Sequence, residues 1–483
     1  MLELEIDIHT ISLHVSSTDH SILSHIKRSS SSSLTFLHNN TMVSSPPPSA
    51  GSGGRRIQLI RPILGLGFWV QGFRCFPWMA VNFFLKDGLN VDPSTLQLLQ
   101  NSANLPMVGK PFYGVVSDVV YFSGQHRIPY IAFGAFLQAF SWLAIAILPP
   151  SSLSIFCISI YLLLGNLGAS IAEVGNDAMV AEIGKQPSKK SQPSSSSSEL
   201  QSFVWIASSA GGVLGNLLGG FAITRYSSQV MFLFFGFILA VQFFITIFVR
   251  ERSLNLPKSS SNIGIRKQLS ELWSAMKKPN IAYAISWLFA SSAVIPVLAG
   301  TMFFYQTEHL QINSSILGIS KVFGQAAMLL WSVIYNCYLK EVPARKIIAA
   351  IQATMAVFMV SDVLFVKGIY RNMGVPDSLY VVVFSGVLEV LFFFKILPFN
   401  VVIAQLCPPG CEGSLMALVA STIALSFIVS GYLGVALASS IGVTGDDFSG
   451  FPRALLIQAI CTLLPIYWSY WVPDDNETLK KKE

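Results

Sequence analysis

Val230-Met-Phe-Leu-Phe-Phe-Gly-Phe-Ile-Leu-Ala-Val-Gln-Phe-Phe-Ile-Thr-Ile-Phe-Val249 is a run of residues without a charge, and the basic segment 250–279 follows it directly. The run has the length that an α-helix needs to cross the hydrocarbon core of a bilayer. The segment behind it carries the cations Arg250, Arg252, Lys258, Arg266, Lys267, Lys277 and Lys278. A charge-free run that ends at a basic loop predicts a membrane-spanning helix.

The composition of the whole chain fits the same interpretation. Hydrophobic residues make up 52% of the 483 positions and charged residues 12%. A soluble protein of this length could not bury that much apolar side-chain surface. The net charge of +6 comes from Lys and Arg in short loops between apolar runs, so it reflects membrane topology, and we expect no nucleic-acid partner.

Apolar runs of spanning length recur along the chain on both sides of segment 250–279. They lie at about 62–83, 95–121, 128–148, 153–178, 201–223, 230–249, 280–306, 313–339, 345–366, 379–404, 413–440 and 453–472. The sequence therefore predicts an all-α membrane protein of about 12 transmembrane helices. Its 6+6 arrangement with pseudo-two-fold halves is that of the major facilitator architecture.

Loop charges support an even number of spans. One side of the predicted topology holds most of the loop cations: Arg55, Arg56, Arg61, Arg127, Lys185, Lys189, Lys190, the cations of 250–279, Lys340, Arg345, Lys346 and Lys480 to Lys482. The other side holds Lys86, Arg225, Lys367, Arg371 and Arg453. Because cytoplasmic loops carry the Lys and Arg excess, we expect a multi-pass protein with both termini in the cytosol.

Composition shifts divide the chain into five predicted parts. These are a disordered Ser/Pro/Gly-rich tail (1–60), a six-helix bundle (61–249), a basic cytosolic linker (250–279), a second six-helix bundle (280–473) and a charged tail (474–483). A plastid transit peptide is also Ser-rich, but such peptides avoid acids such as Glu3 and Asp7. Residues 1–41 are expected to be an extension without a structural role, and the sequence leaves plasma membrane, vacuole and plastid envelope open.

Faint self-similarity relates the two halves. Gly114-Val-Val-Ser-Asp118 precedes Arg127 by the same interval at which Ser332-Val-Ile-Tyr-Asn336 precedes Arg345. Asp177 and Glu182 correspond in the same way to Asn400 and Gln405. The second half then keeps the shape and hydrogen bonding of groups that are titratable in the first half.

Several stretches resemble the folate-biopterin transporter family, in particular its plant branch, over residues 60 to 472. They are Phe84-Leu-Lys-Asp87 to Val91-Asp-Pro93, Leu105-Pro-Met-Val-Gly-Lys-Pro-Phe-Tyr-Gly114 with Ser117-Asp118, Asp177-Ala-Met-Val-Ala-Glu182, and Leu406-Cys-Pro-Pro-Gly-Cys-Glu-Gly413. Family members often place Arg soon after the acid that matches Glu182, whereas this chain has Ile183-Gly-Lys185. That departure weakens the transfer of substrate detail, and members of the family need not all carry folates.

Charges inside predicted spans form the functional shortlist, because a charge near the bilayer centre is costly unless it is paired or hydrated. They are Arg74, Lys110, Lys321, Lys395, Asp118, Glu173, Asp177, Glu182 and Glu389. Similar numbers of opposite sign are also compatible with purely structural ion pairs. Arg74 is the leading anion-binding candidate, since it lies among aromatic residues near Pro77, which frees a backbone carbonyl. Lys110 is the second, although it could snorkel or pair with Asp118.

The family resemblance implies a folate-like solute, whose carboxylates would bind Arg or Lys and whose pterin edge would suit Asp177 or Glu389. Substrate-binding candidates are Arg74, Lys110, Asp177, Glu389 and Lys395, with Glu389 and Lys395 facing different partners.

Candidates for proton coupling or gating are Asp118, Arg127, Glu173 and Glu182. Gly114, Asp118, Gly124 and Arg127 resemble the facilitator signature that braces neighbouring helix ends, whereas the alternative is that Asp118 and Arg127 are solvated loop charges. Proton coupling is a hypothesis motivated by Asp177, Glu182 and Glu389.

Other classes of function find less support. The sequence contains no HExxH, nucleophile elbow or phosphate loop, so an enzyme is not expected. Cys407 and Cys411 lack further ligands nearby, so neither a metal nor a cofactor is expected.

Gly211, Gly215 and Gly219 predict close helix packing in the fifth span. We expect a monomer, in contact with lipid, that moves a small anionic solute. A transporter of another organic solute and a receptor or scaffold on the same fold stay open as alternatives.

Overall fold

The structure is a computed structural model of the chain. It describes residues 52–122, 125–149, 152–184, 195–249, 276–339, 342–406 and 412–472, with residues 270, 273 and 274. Four predicted features lie wholly or largely outside the described residues: the tail at 1–60, the linker at 250–279, the Cys407 and Cys411 loop and the tail at 474–483.

Twelve helical spans, numbered here in chain order, make up the described part of the chain, which contains no named β-strand. The first six have the helices Ser52–Phe73 and Cys75–Phe83 (span 1), Pro93–Ala103, Leu105–Val108 and Lys110–Val119 (span 2), Ile128–Ile147 (span 3), Ile155–Gly184 (span 4), Ser195–Ala222 (span 5) and Ser228–Phe248 (span 6). The prediction of an all-α protein is confirmed. The spans begin and end within a few residues of the predicted limits, except that spans 1 and 5 begin earlier than predicted and span 4 ends later.

The second six spans begin at Pro279. They are Pro279–Ala293 and Ala299–Phe304 (span 7), Ser314–Ile334 (span 8), Ala344–Val366 (span 9), Asp377–Tyr380, Gly386–Phe394 and Ile396–Leu406 (span 10), Glu412–Ile441 (span 11) and Phe451–Tyr467 (span 12). We call the end of the bundle at which spans 1 and 2 are joined the first-loop face. The opposite end, where residues 120–127 join spans 2 and 3, is the linker face.

Eight of the spans are apolar and continuous enough to cross a membrane by length and composition. The other four are spans 1, 2 and 7, which are interrupted, and span 12, whose helix has 17 residues. Proline explains interruptions of this kind, because it lacks the N–H that would bond to the carbonyl four residues earlier. Pro77 follows the break of span 1, Pro106 and Pro111 flank the breaks of span 2, and Pro296 lies in the break of span 7.

The tips of spans 1 and 7 are built alike. Span 1 ends in a π-helical turn at Phe84–Gly88, and span 7 ends in a π-helical turn at Tyr305–His309. Each turn leads into a residue with positive φ, 51° at Asn90 and 50° at Gln311. The shared geometry is a second sign of the internal repeat, found at a place where the two sequences share few residues.

Glycines let the helices of the bundle approach closely. Span 5 packs on span 1, where a Cβ at Gly211 would overlap the backbone of Trp69 and one at Gly215 would lie 3.0 Å from the carbonyl oxygen of Phe73. A Cβ at Gly220 would lie 2.9 Å from the Cα of Gly318 in span 8. The predicted packing role of the span 5 glycines is confirmed.

Large apolar side chains cover the outside of the bundle. Phe133, Phe136 and Phe140 are exposed along one face of span 3, and Phe237 and Phe248 are exposed on span 6. Polar residues, in contrast, are buried between the spans, as at Gln138, Asn166 and Gln352. An apolar exterior around a polar interior is the arrangement that a bilayer stabilises.

Candidate substrate and coupling site

Arg74 and Lys110 share one carboxylate, that of Glu173. Arg74 Nη1 lies 2.5 Å from Glu173 Oε1, and Lys110 Nζ lies 2.7 Å from Glu173 Oε2. The side chains are mostly buried, with 17% of Arg74, 20% of Lys110 and 9% of Glu173 exposed. Because each carboxylate oxygen holds one cation, the ion group ties spans 1, 2 and 4 together.

The second nitrogen of the Arg74 guanidinium bonds to an amide. Arg74 Nη2 donates to Asn166 Oδ1 at 2.7 Å, and Asn166 Nδ2 donates to the carbonyl of Ala103 at 2.7 Å. That carbonyl is available because span 2 breaks at Asn104, where the N–H of Met107 bonds to Asn104 instead. The broken helix thus supplies the acceptor that fixes the amide, and the amide orients Arg74.

Both cations lie where their helices are interrupted. Arg74 stands between the two helices of span 1, three residues before Pro77. Lys110 begins the last helix of span 2, between Gly109 and Pro111. Span 4 is continuous at this level, so Asn166, Glu173 and its neighbours project from a rigid helix. The site therefore combines two cations at interruptions of their helices with one acid on an uninterrupted helix.

Asp177 lies one helical turn beyond Glu173 and is exposed. It interacts electrostatically with Glu173 and Lys110, but it forms no ion pair within the part of the chain that the structure describes. An acid one turn from a buried acid on the same face is repelled by its charge, and a proton relieves that repulsion. Asp177 is thus the acid of this group best placed to exchange a proton.

A second ion pair joins spans 8 and 10. Lys321 Nζ of span 8 lies 2.6 Å from Glu389 Oε1 of span 10, and the side chains are 33% and 53% exposed. Cys75, next to Arg74, interacts electrostatically with both of them. Lys321 and Glu389 therefore face span 1, between the two halves. Lys321 is on the sequence shortlist, but its pairing with Glu389 is a finding of the structure.

The charges of the two groups balance. The cations Arg74, Lys110 and Lys321 equal in number the acids Glu173, Asp177 and Glu389. When all are ionised, the site has no net charge to offer an anion. A proton on one acid leaves a net positive charge, and an incoming carboxylate can then replace an internal one at Arg74 or Lys110.

A separate ion group joins the ends of spans 2, 3 and 4 at the linker face. Arg127 Nη2 lies 2.5 Å from Asp118 Oδ1 and 2.6 Å from Glu182 Oε1, and Arg127 Nη1 donates to Ser117 Oγ at 2.6 Å. Arg127 is 5% exposed. The alternative that Asp118 and Arg127 are solvated loop charges is therefore wrong. Lys110, for its part, pairs with Glu173 rather than with Asp118.

Lys395 forms no contact with these groups among the described residues and lies between spans 7, 9 and 10. It is fully buried, with Nζ 3.2 Å from Ser291 Oγ, 3.4 Å from Gln352 Oε1 and 4.1 Å from the centroid of the Phe392 ring. No carboxylate within the described ranges lies in ion-pair distance of it. The helix break at Lys395 follows from Pro398, which frees the carbonyl of Phe394 for Trp331 Nε1 at 3.0 Å.

One buried acid is absent from the residues predicted from the sequence. Asp362 of span 9 is 5% exposed and accepts a hydrogen bond of 3.0 Å from the hydroxyl of Tyr380. Tyr380 stacks on Phe365 with ring centroids 4.1 Å apart. The missed signal was the single acid in the otherwise apolar run 345–366.

The spans and the polar interior define a membrane protein of the major facilitator fold, and solved structures agree. A mutant form of the nucleoside transporter NupG aligns with a TM-score of 0.64 at 13% identity, over 86% of this chain and 99% of that one. A D-xylose-proton symporter aligns with a TM-score of 0.60 at 14% identity, over 88% of this chain and 99% of that one. At such identities the likeness concerns the fold alone, and it confirms the predicted architecture.

The family follows from the sequence. The profile of the BT1 family matches residues 71–483, so the chain belongs to that family. The chain is 62% identical over 435 residues to the probable folate-biopterin transporter 7 of Arabidopsis thaliana, covering 90% of this chain and 98% of that protein. It is 25% identical over 415 residues to the folate-biopterin transporter of a Synechocystis strain, covering 86% and 82%. The predicted family resemblance is confirmed, and the homologues are transporters rather than enzymes.

Proposed function

We propose that the protein moves folate or pterin-like organic anions across a membrane by alternating access. The observation that carries the proposal is the sharing of Glu173 by Arg74 and Lys110 at the helix breaks of spans 1 and 2. A guanidinium and an ammonium that already hold a carboxylate have the geometry to hold that of a solute. The relatives named folate-biopterin transporters give the solute class.

The charge balance of the site makes a proton the natural partner of an anion. Asp177 is the proposed proton acceptor, because it is exposed and has no cation of its own among the described residues. With Asp177 protonated, Arg74 and Lys110 carry an excess charge over Glu173 that an anion can neutralise. Solute and proton then bind together and leave together, which is symport.

The groups of the second half complete the proposed site. Glu389 can accept hydrogen bonds from the amino-pyrimidine edge of a pterin. Lys321 can then exchange its bond to Glu389 for one to a carboxylate of the solute. Lys395 is left out of the proposed site, since no part of it is exposed to a solute.

Arg127, Asp118 and Glu182 are the proposed gating group. Their ion pairs hold the ends of spans 2, 3 and 4 in one arrangement at the linker face. A rearrangement of those ends has to break contacts that are 2.5 to 2.6 Å long. Loop charges support a cytosolic linker face, and we propose that the working unit is a monomer.

Uptake by proteoliposomes tests the proposal. We expect saturable uptake of labelled folate or of a simple pterin by the wild type and its loss in Arg74→Ala. Lys395→Met is the matched control, because it removes a cation outside the proposed site. Uptake of neither compound by inserted, folded protein would contradict the solute class, and a wider solute screen would then separate a transporter of another organic compound from a receptor or scaffold.

A further inference from the structure

The side-chain amide of Gln97, in span 2, bonds entirely to the other half of the protein. Gln97 Nε2 donates to the carbonyls of Val297 at 2.6 Å and Gly431 at 2.8 Å, and Gln97 Oε1 accepts from the N–H of Gly300 at 2.8 Å. Gln97 is 4% exposed. One buried amide therefore satisfies three backbone groups of spans 7 and 11 and leaves none of its own hydrogen-bonding atoms unpaired.

Two of these backbone groups, Val297 O and Gly300 N–H, lie at the helix break of span 7. Span 7 is non-helical from Val294 to Leu298, so several of its backbone groups have no partner in their own helix. Ser430 of span 11 bonds to two of them, through its hydroxyl to Ile295 O at 2.5 Å and through its carbonyl to Val297 N at 3.2 Å. Gln97 bonds to two more groups of span 7, Val297 O and Gly300 N–H, from across the interface.

Two further contacts between the halves lie on the same side of the bundle. Lys86, at the tip of span 1, donates a hydrogen bond to Glu308, at the tip of span 7. Gly220 of span 5 and Gly318 of span 8 pack backbone to backbone, and Ser314 Oγ donates to the carbonyl of Gly220 at 3.0 Å. The first-loop face is thus closed by contacts between spans of opposite halves.

These contacts differ in how readily they can be exchanged for water. The Lys86 and Glu308 pair is partly exposed, with 51% of the Glu308 side chain in contact with solvent, so water can replace each partner. The bonds of Gln97 to Gly431 and Gly300 are buried and that to Val297 is partly buried, and breaking them leaves three backbone groups and the amide of Gln97 without these partners. Among the residues named at this face, Gln97 therefore makes the largest number of hydrogen bonds that separation of the halves has to break.

We propose that Gln97 is the latch of the first-loop face, a positioning residue that holds the broken part of span 7 against span 2 until the face opens. The inference rests on the proposed alternating access, but it does not depend on which solute is moved. Removal of the amide should favour the state that is open at the first-loop face, because that state has no bonds of Gln97 to lose.

Distances between spin labels across the first-loop face test the latch without any solute. The substitutions Tyr226→Cys and Met373→Cys supply the label sites in a chain whose six native cysteines are replaced by Ser. Tyr226 and Met373 are 59% and 72% exposed and lie on loops of opposite halves. For Gln97→Ala in lipid nanodiscs we expect the ratio of long to short distances to rise roughly tenfold, the effect of losing one to two net hydrogen bonds.

Three variants make the outcome decisive. Gln97→Glu keeps the acceptor for Gly300 but cannot donate to both carbonyls, since a carboxyl group has at most one O–H, so it should shift the distances in the same direction. Gln138→Ala is the matched control, since Gln138 is equally buried but bonds to Gly134 of its own helix, and it should shift nothing. Gln97→Met, which keeps the side-chain volume, carries the test if the alanine variant does not fold. Unchanged distances in a folded Gln97 variant would overturn the latch, whereas a shift without folate uptake would leave it standing and refute only the solute.

Discussion

Glu173→Gln should destabilise the folded protein strongly, because it leaves two cations without their shared acid. Glutamine has almost the same shape as glutamate, but its NH₂ group would face either Arg74 or Lys110. In the wild type, each of these cations lies within 2.7 Å of a Glu173 carboxylate oxygen. Removing one partner of a buried ion pair costs about 3 to 5 kcal/mol. Since Arg74 and Lys110 keep some contact with solvent, we take the lower end, about 3 kcal/mol, which corresponds to roughly 150-fold in the ratio of folded to unfolded protein.

The free energy of unfolding, measured by equilibrium denaturation in mixed micelles, checks this value. Glu308→Gln is the matched control: Glu308 also pairs with a lysine, but half of its side chain is exposed, so the loss should be below about 1 kcal/mol. Adding Lys110→Met to Glu173→Gln removes one of the two uncompensated cations and should recover part of the loss. Equal losses for Glu173→Gln and Glu308→Gln would refute the idea that the shared carboxylate anchors spans 1, 2 and 4.

Three other predictions concern the linker face, the second bundle and helix packing. Arg127→Lys keeps the charge but loses the planar fork that bonds to Glu182, so transport rates should fall while the protein still folds, as uptake and gel filtration would show. Lys395→Met should be neutral or stabilising by about 1 kcal/mol or more in thermal unfolding, since it replaces a buried cation that has no acid partner among the described residues; a loss of several kcal/mol would contradict this. Gly72→Ala places a Cβ against the backbone of span 5 and should cost about 1 to 3 kcal/mol, whereas Gly212→Ala, with its nearest neighbour 3.9 Å away, should cost little in the same assay.

The number and order of the spans could be predicted from the sequence because each span is an apolar run of bilayer length. The sequence also showed that Pro77 frees a backbone carbonyl in span 1, and Arg74 near it was identified as the leading anion-binding candidate, but the helix break at Arg74 is a finding of the structure. Periodicity within one helix, however, holds no information about pairs that are far apart in sequence. Arg74 and Lys110 are separated from Glu173 by 99 and 63 residues, so their common partner could not be predicted.

The same limit applies to neutral polar residues. Gln97 is one of several polar residues in its helix and has no charge to mark it as costly in a membrane. Its role depends on the helix break of span 7. There the Val297 carbonyl and the Gly300 N–H lie within hydrogen-bond distance of the Gln97 amide. Lys395 shows the opposite case: its charge suggested a binding role, but its side chain lies wholly inside the second bundle.

Proton movement during solute uptake tests the central claim, that a charge-balanced site takes up an anion together with a proton. The measurement is the internal pH of proteoliposomes, recorded with a trapped dye while folate is added outside under a clamped membrane potential. We predict that the wild type acidifies the interior as folate enters, and that Asp177→Asn abolishes or sharply reduces this acidification. Folate entry without acidification in the wild type, or an unchanged pH response in Asp177→Asn, would contradict the account.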